Sequence, residues 1–578
     1  MTDTLTKVGV AKDYQARTEH RLPDHFAASL GYLDWKTQPD PFRVYEGAEQ
    51  RQLPLCEPVV STPSWAELRA NEAIAPAAAL TINTFSQLLY DSLAISAWKA
   101  SGSSRWALRC NPSSGNLHPT EAYVITGPVA ELISQPALLH YTPKDHGVEV
   151  LRWLDAEPFA ELNRQLPEGA FVLGLASIVW REAWKYGERA FRYCMHDVGH
   201  AMQAITFAAR ILGWRVRRVE GSTATQMDQL LGLERSSGPE AEHADVLLVI
   251  ETCPTSTSTT TNTVSNTAAH APIQLDLTDA LLNELSPPIS AQPNTLSTQH
   301  HPWPILAEVE QATRDSSKPH GVFDGKRCGS DTGNTDALGT VTLEVEANDI
   351  HGTDTSASAR DIVRRRRSAV DFDGSTGMTR EQLYRILSAL VPSLTPSLWT
   401  AFPHQPRVHP AIYLHRIQGV EPGLAILVRN RADEPALRKA IPRVQTWEKM
   451  PGCPDELGLY RIMEGDARRL GRTLHCHQDI AADGALVTSM IASFNDELDR
   501  FGAPAWRYLH WEAGAVGQLL YLEAEALNLS ATGIGCFFDT GVHELLGLKG
   551  GDFRMLYGTA IGRAVQDPRI QTFPAYQR

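Results

Sequence analysis

No run in the 578-residue chain approaches the ~18 consecutive apolar residues of a membrane span, so a membrane partner is not expected. Cysteine is sparse: eight residues, none in a CxxC pair. The start, Met1-Thr2-Asp3-Thr4-Leu5, has neither the charged opening nor the apolar stretch of a secretory signal. Reduced, mostly buried cysteines in a cytoplasmic protein are therefore expected. Positive charge is short too: the net charge is −14, and Arg364 to Arg367 is the one basic run. That balance excludes a nucleic-acid partner, which needs an extended basic face. His475-Cys476-His477 has the look of a metal cluster, but adjacent residues do not converge on one ion without further ligands, so no metal is expected.

What the chain does have is a segment written twice. Lys185-Tyr186-Gly187 to Leu230-Leu231-Gly232-Leu233 lies without a gap over Arg500-Phe501-Gly502 to Leu545-Leu546-Gly547-Leu548, 315 residues later. Thirteen of the 49 positions are identical, where ordinary composition gives roughly three. Self-similarity of this length implies two copies of one domain. Only the first copy has the Lys-Tyr pair, and only the second has Gly533-Ile534-Gly535. The asymmetry points to one active site built from two halves.

The organisation follows. Residues 1–60 are polar and Pro-rich, with Asp34 to Arg43 reading as an extended N-terminal arm. Residues 61–251 form a first domain: a helical pattern from Phe85 through Trp98, a turn-rich loop at Arg109–Pro119, strands at 121–125, 170–175 and 245–250, and a long helix from about Arg189 to Leu212. Residues 252–356 read as a flexible linker, Thr/Ser/Asn-rich at 255–267 and Gly/Ser/Asp/Thr-rich at 314–356, with helix candidates at 276–286 and 304–313. Residues 357–578 repeat the order: a helix at 381–390, strands at 412–414 and 425–428, a long helix at 507–527 and a final strand at 556–561. Mixed helix and strand around a long central helix implies an α+β sandwich in duplicate.

The chemistry-bearing residues divide between the copies. Pro112-Ser113-Ser114-Gly115-Asn116 offers hydroxyls, a carboxamide and free backbone N–H groups that can hold the polar edge of a heteroaromatic ring. Pro, Ser, Gly and Asn are also ordinary turn formers. The counterpart, Pro403 to Pro410, keeps Pro403, His409 and Pro410 but replaces the polar core by His404-Gln405-Pro406-Arg407. Arg366-Arg367-Ser368 could grip a phosphate, or be a solvated basic run; aligning Gln87 with Gln382 places Asn71-Glu72-Ala73 opposite it. Gly533 and Gly535 could allow close approach to a ligand, where the first copy has Arg218 and Glu220; Arg563 is a further phosphate candidate. Lys185-Tyr186 could act as a catalytic pair, the lysine depressing the phenol's pKa, or be a snorkelling lysine beside a packed ring. Its counterpart Arg500-Phe501 has no phenol. Arg192-Tyr193 and Asp197, matched by Arg507-Tyr508 and Glu512, recur in both copies and so read as structural.

These pieces together resemble the nitroreductase family in its azoline-dehydrogenase (SagB/McbC/ThcOx-type) branch. Arg109-Cys110-Asn111-Pro112-Ser113-Ser114-Gly115, Lys185 to Tyr193 and Asp197-Val198-Gly199-His200 carry the likeness in the first half. Arg366-Arg367-Ser368, the Gly533–Gly535 loop, Leu545-Leu546-Gly547 and Ile561-Gly562-Arg563 carry it in the second. The resemblance implies two tandem nitroreductase-like α/β sandwich domains forming an intrachain pseudo-dimer, sufficient as a single chain. It implies FMN held by Arg366, Arg367, Ser368, Gly533, Gly535 and Arg563 from one half and by Arg109, Pro112, Ser113, Ser114 and Asn116 from the other. One FMN per chain follows, because the reciprocal site has lost both sets. Lys185 and Tyr186 inherit proton abstraction during two-electron oxidation of a peptide-like or heterocyclic (azoline-type) small molecule, with dioxygen or another electron acceptor reoxidising the flavin. The alternatives are an NAD(P)H-dependent nitro or quinone reductase, which needs no Lys-Tyr pair, and a degenerate binding protein without flavin.

Overall fold

The computed structural model describes residues 2–55, 62–70, 74, 76–253, 271–314, 357–442 and 447–576. Two sheets repeat one topology. In the first half the order is Ile273–Gln274, Arg215–Glu220, Glu242–Glu251, Phe171–Ile178, Thr120–Thr126, Ala137–Thr142, Gly147–Trp153 and Glu49–Gln52. The second half runs Ser530–Ile534, Phe553–Gly562, Leu486–Ser493, Val408–Leu414, Gly423–Leu427, Leu459–Glu464 and Glu448–Lys449. Strand for strand, the six central members correspond. The central strands Phe171–Ile178 and Leu486–Ser493 are buried along nearly their whole length, which explains their mostly apolar sequence, broken only by the small polar Ser177, Thr488, Ser489 and Ser493.

The two long helices, Ala190–Ile211 and Ala505–Ala526, are offset by the 315 residues of the sequence repeat. They cross at a pair of equivalent glycines. A Cβ on Gly199 would lie 2.1 Å from the Trp511 carbonyl oxygen, and one on Gly514 would lie 2.2 Å from the carbonyl oxygen of His196. Residues 196/511 and 199/514 exchange roles across the contact, the signature of a two-fold interface, here within one chain. Buried ion pairs cross it in both directions: Arg192 and Arg189 to Asp539 (2.9 and 3.1 Å), and Arg507 to Asp245 (2.7 Å).

Four features differ from the sequence reading. The arm begins with a helix, Thr2–Arg17, held by distant partners: Trp506 Nε1 donates to Gln15 Oε1 (3.0 Å) and Tyr14 Oη to the Glu188 carbonyl (2.8 Å). The helix expected through Trp98 is Ile82–Ser92, and Trp98 belongs to a hairpin, Ile95–Ser101 with Ser104–Arg109. That helix is capped by Thr81 and its counterpart by Thr379, so the structural offset there is 298, not 295. The last strand is Gln571–Phe573, beyond the expected one, and it pairs with the first-half hairpin. In the expected linker, helices stand at Asp279–Leu285 and Pro304–Arg314. The low-complexity stretches at 255–267 and 315–356, and Asn71-Glu72-Ala73, lie outside the described residues. No described helix is long and apolar enough to cross a membrane, and the described residues contain no cluster able to hold a metal.

Candidate active site

A cavity of about 470 Å³ opens between the halves, within the range of about 300–1,000 Å³ typical of cofactor pockets. Its first-half wall contains Arg109, Pro112 to Asn116 and Tyr186; its second-half wall contains Arg366 to Ser368 and Ser530 to Cys536, except Ala531. The structure thus brings together eleven of the thirteen residues singled out in the sequence. Arg563 is exposed and outside the wall, though Ala564 to Asp567 line it. Lys185 is not among the lining residues; its Nζ is 5.2 Å from the Tyr186 ring centre.

The Pro-Ser-Ser-Gly-Asn loop is shaped by left-handed residues: Gly115, Asn116 and His118 have φ of 58, 60 and 53°. A Cβ on Gly115 would lie 2.6 Å from Tyr186 Oη, so glycine is needed for the phenol to sit there. Asp197 fixes the loop, accepting from Ser114 N (3.1 Å) and Ser114 Oγ (3.0 Å). Ser113 Oγ accepts from His118 N (2.8 Å). The Asn116 carboxamide is engaged within the protein, donating to the Ala107 carbonyl and contacting His118 Nε2.

On the facing wall Arg366 is 2% exposed, and its Nε and Nη2 donate to the carbonyls of Cys110 and Arg109 (3.0 and 2.9 Å). Its Nη1 is buried and makes no hydrogen bond. An orphaned guanidinium N–H in a cavity wall is costly unless an acceptor arrives. Arg367 donates to the carbonyls of Arg364 and Ser96, and Ser368 Oγ shares a hydrogen bond with Tyr521 (2.9 Å). Gly533 and Gly535 are required for a reason other than ligand approach: a Cβ would lie 1.9 Å from Tyr557 Oη and 2.1 Å from the Tyr193 ring, respectively.

The electrostatics also differ from expectation. The Tyr186 phenol is pushed well above its ordinary value, first by burial and then by Glu182, Tyr193 and Asp197, rather than depressed. Burial raises Asp197 to about 7 against the hydrogen bonds from Ser113 and Ser114. Glu182, buried with neither carboxylate oxygen hydrogen-bonded, is raised far above a normal carboxylate. Tyr193 and Asp197, read as structural from their recurrence, both line the cavity, with His200, Tyr521 and Tyr557. Likeness between the copies, Tyr193 with Tyr508 and Asp197 with Glu512, concealed them, because what matters is that their surroundings differ.

The pseudo-symmetric position in the other half holds only about 90 Å³. There Arg218 replaces Gly533 and lies 4.2 Å over the Tyr508 ring. It pairs with Glu220, the replacement for Gly535, and Glu220 also meets His404 (3.0 Å). Arg407 pairs with Glu497 (3.0 Å) and Phe501 stands in place of Tyr186. Ion pairs of the protein itself occupy the space that is open in the first cavity.

With this geometry in hand, a sequence model of the Nitroreductase family matches residues 96–247 and again 363–563. The chain belongs to the nitroreductase family. A Methanocaldococcus jannaschii protein named as a nitroreductase is 27% identical over 96 residues, 17% of this chain and 48% of the relative. The chain thus spans about half the length of the curated relative it matches. Among solved structures, one named as a nitroreductase from Anabaena variabilis matches with a TM-score of 0.64 at 22% identity, covering 96% of this chain and 99% of that one. Both halves together therefore share their fold with a single solved chain. The Escherichia coli microcin synthetase McbBCD complex with truncated pro-MccB17 bound is a distant match (TM-score 0.26, 18% identity, 43% of this chain and 93% of that one) and adds nothing to the assignment.

Proposed function

We propose that the chain is an FMN-dependent dehydrogenase of the SagB/McbC type, with one composite site, oxidising a peptide-like or heterocyclic substrate by two electrons. One observation carries this reading: the halves contribute unlike walls to one large cavity, while the equivalent cavity, where Arg218 pairs with Glu220, is reduced to about 90 Å³. FMN fits the residues present, since the free Arg366 Nη1 needs an acceptor such as a phosphate oxygen. Arg366, Arg367 and Ser368 would hold that phosphate, and Pro112 to Asn116 the ring edge. FMN, when bound, supplies the two-electron acceptor.

Tyr186 is the proton-transfer group on the substrate side. Burial and the neighbouring carboxylates keep the phenol protonated in the resting cavity. Removing a substrate proton therefore needs positive charge supplied to that oxygen, and Lys185, beside the ring, is the nearest source. Asp197 changes charge near neutral pH and holds the Ser114 turn against which substrate would lie. The Lys-Tyr pair supports oxidation over nitro or quinone reduction, because a reductase has no need of it.

The test is flavin stoichiometry on the purified full chain. One FMN per chain is expected; two per chain, or no absorbance near 450 nm after reconstitution, would overturn the composite site. Rapid bleaching by reduced nicotinamide would replace the dehydrogenase by a reductase.

A further inference from the structure

The His475-Cys476-His477 motif has no part in the site just described, yet it reaches the cavity through a second cysteine. Cys476 Sγ stands 2.6 Å from Cys536 Sγ. The two free thiols are a small side-chain rotation from the ~2.05 Å of a covalent bond. All six described cysteines, Cys476 and Cys536 among them, are free thiols.

The surrounding backbone is built to hold the two sulfurs together. Cys476 and His477 are successive non-glycine residues at φ of 54 and 58°, a conformation that persists only where neighbours over-determine it. Gln478 Nε2 donates to the carbonyls of His475 (2.8 Å) and Cys536 (3.1 Å), and Phe538 N donates to the Leu474 carbonyl (2.8 Å). The loop after the Arg468–Leu474 helix is thereby tied to the loop after the Ser530–Ile534 strand on both sides of the sulfur pair. Both cysteines are partly accessible, unlike the buried Cys110 and Cys194, and Cys536 and Gln478 are on the cavity wall.

We propose that Cys476 and Cys536 are a reversible dithiol/disulfide couple at the edge of the cavity, exchanging with small-molecule disulfides and thiols. Cys536 is the attacking sulfur, because it lines the cavity from which a small disulfide arrives and Cys476 does not. Its thiolate attacks one sulfur of a disulfide RSSR, forming a mixed disulfide and releasing RS⁻. Cys476 then displaces the second RS⁻, closing the protein disulfide. Two electrons pass from the protein to RSSR, which leaves as two RSH, and thiols reverse the step. Because Cys536 follows Gly535 directly, the couple makes one wall of the cavity responsive to the thiol–disulfide balance.

The experiment requires no variant and no flavin. The full-length protein is equilibrated with oxidised glutathione or with dithiothreitol, quenched with N-ethylmaleimide, unfolded, digested and mapped by mass spectrometry. After oxidised glutathione, the Cys476 and Cys536 peptides are expected cross-linked, with loss of two alkylatable thiols per chain; dithiothreitol restores both. Three results would overturn the proposal: both cysteines alkylated under oxidising conditions, glutathione adducts that never resolve to the cross-link, or a cross-link that dithiothreitol leaves intact. Cys476→Ser, if it folds, should stop the reaction at a glutathione adduct on Cys536.

Discussion

The crossing of the long helices yields a prediction whose sign is opposite to the usual rule. Gly514 lies inside a 22-residue helix, where replacing glycine by alanine normally stabilises by about 0.5–1 kcal/mol. Here a Cβ would sit 2.2 Å from the His196 carbonyl oxygen, 3.0 Å from its carbon and 3.1 Å from His200 N. All three obstacles are backbone, so no side chain can swing aside. Restoring ordinary contact requires the helices to separate by about 1 Å, and overpacking of this kind costs about 1–3 kcal/mol. Less the propensity gain, Gly514→Ala should lose about 1 kcal/mol, and Gly199→Ala should do the same from the other side. The matched control is Gly9→Ala in the Thr2–Arg17 helix, where nothing lies within 4 Å of the new Cβ and a gain of about 0.5–1 kcal/mol is expected. Apparent Tm, followed by tryptophan fluorescence at one scan rate, reads all three. A Gly514→Ala protein as stable as wild type would refute the close two-fold crossing.

Three further outcomes test the site itself. Tyr186→Phe should leave flavin content unchanged while slowing substrate oxidation by about 10²–10⁴-fold; unchanged turnover would remove Tyr186 from the proposed mechanism. Arg218→Ala removes the partner of the buried Glu220, so it should cost about 3–5 kcal/mol in denaturant titration without altering flavin content; a second bound flavin would show the mirror site to be merely blocked. Asp197 holds its proton up to about 7 when folded, against an unfolded value near 4. The folded state thus binds the proton more tightly, and this contribution to stability, present below pH ~4, is lost as pH rises through 7. The advantage of Asp197→Asn over wild type should therefore grow between pH 5 and 8; a difference constant with pH would argue against the raised value.

The parts legible in the sequence were those set by local pattern or by comparison of the copies. The long helices announced themselves by apolar spacing to within two residues of their observed ends, and the duplication by a gapless repeat. The Thr2–Arg17 helix was missed because what holds it, Trp506 and Glu188, is far away in the chain. Trp98 continued the preceding apolar pattern, yet its indole donates to the Ala575 carbonyl in a hairpin completed by the far end of the chain. Tyr193 and Asp197 were set aside because both copies carry a tyrosine and an acid there. In one copy the tyrosine faces open space, and in the other it lies under Arg218. Likeness of residue said nothing about likeness of role.

The smaller cavity bears on whether the chain is a decayed enzyme. Drift would leave lost glycines replaced by unrelated residues and a cavity partly collapsed. What replaces Gly533 and Gly535 is an arginine and a glutamate that pair with each other, joined by His404, the counterpart of Ser113. Either charge alone would be expensive to bury, and only together do they make a sound interior. The wall of the open cavity holds a buried Arg366 guanidinium N–H without an acceptor and an Asp197 carboxylate raised to about 7. Each of these costs stability that a binding scaffold without a ligand could recover by ordinary substitution. In one half the protein's own side chains take up the space and in the other the space stays open, which is the arrangement expected when a ligand occupies only one of two equivalent sites.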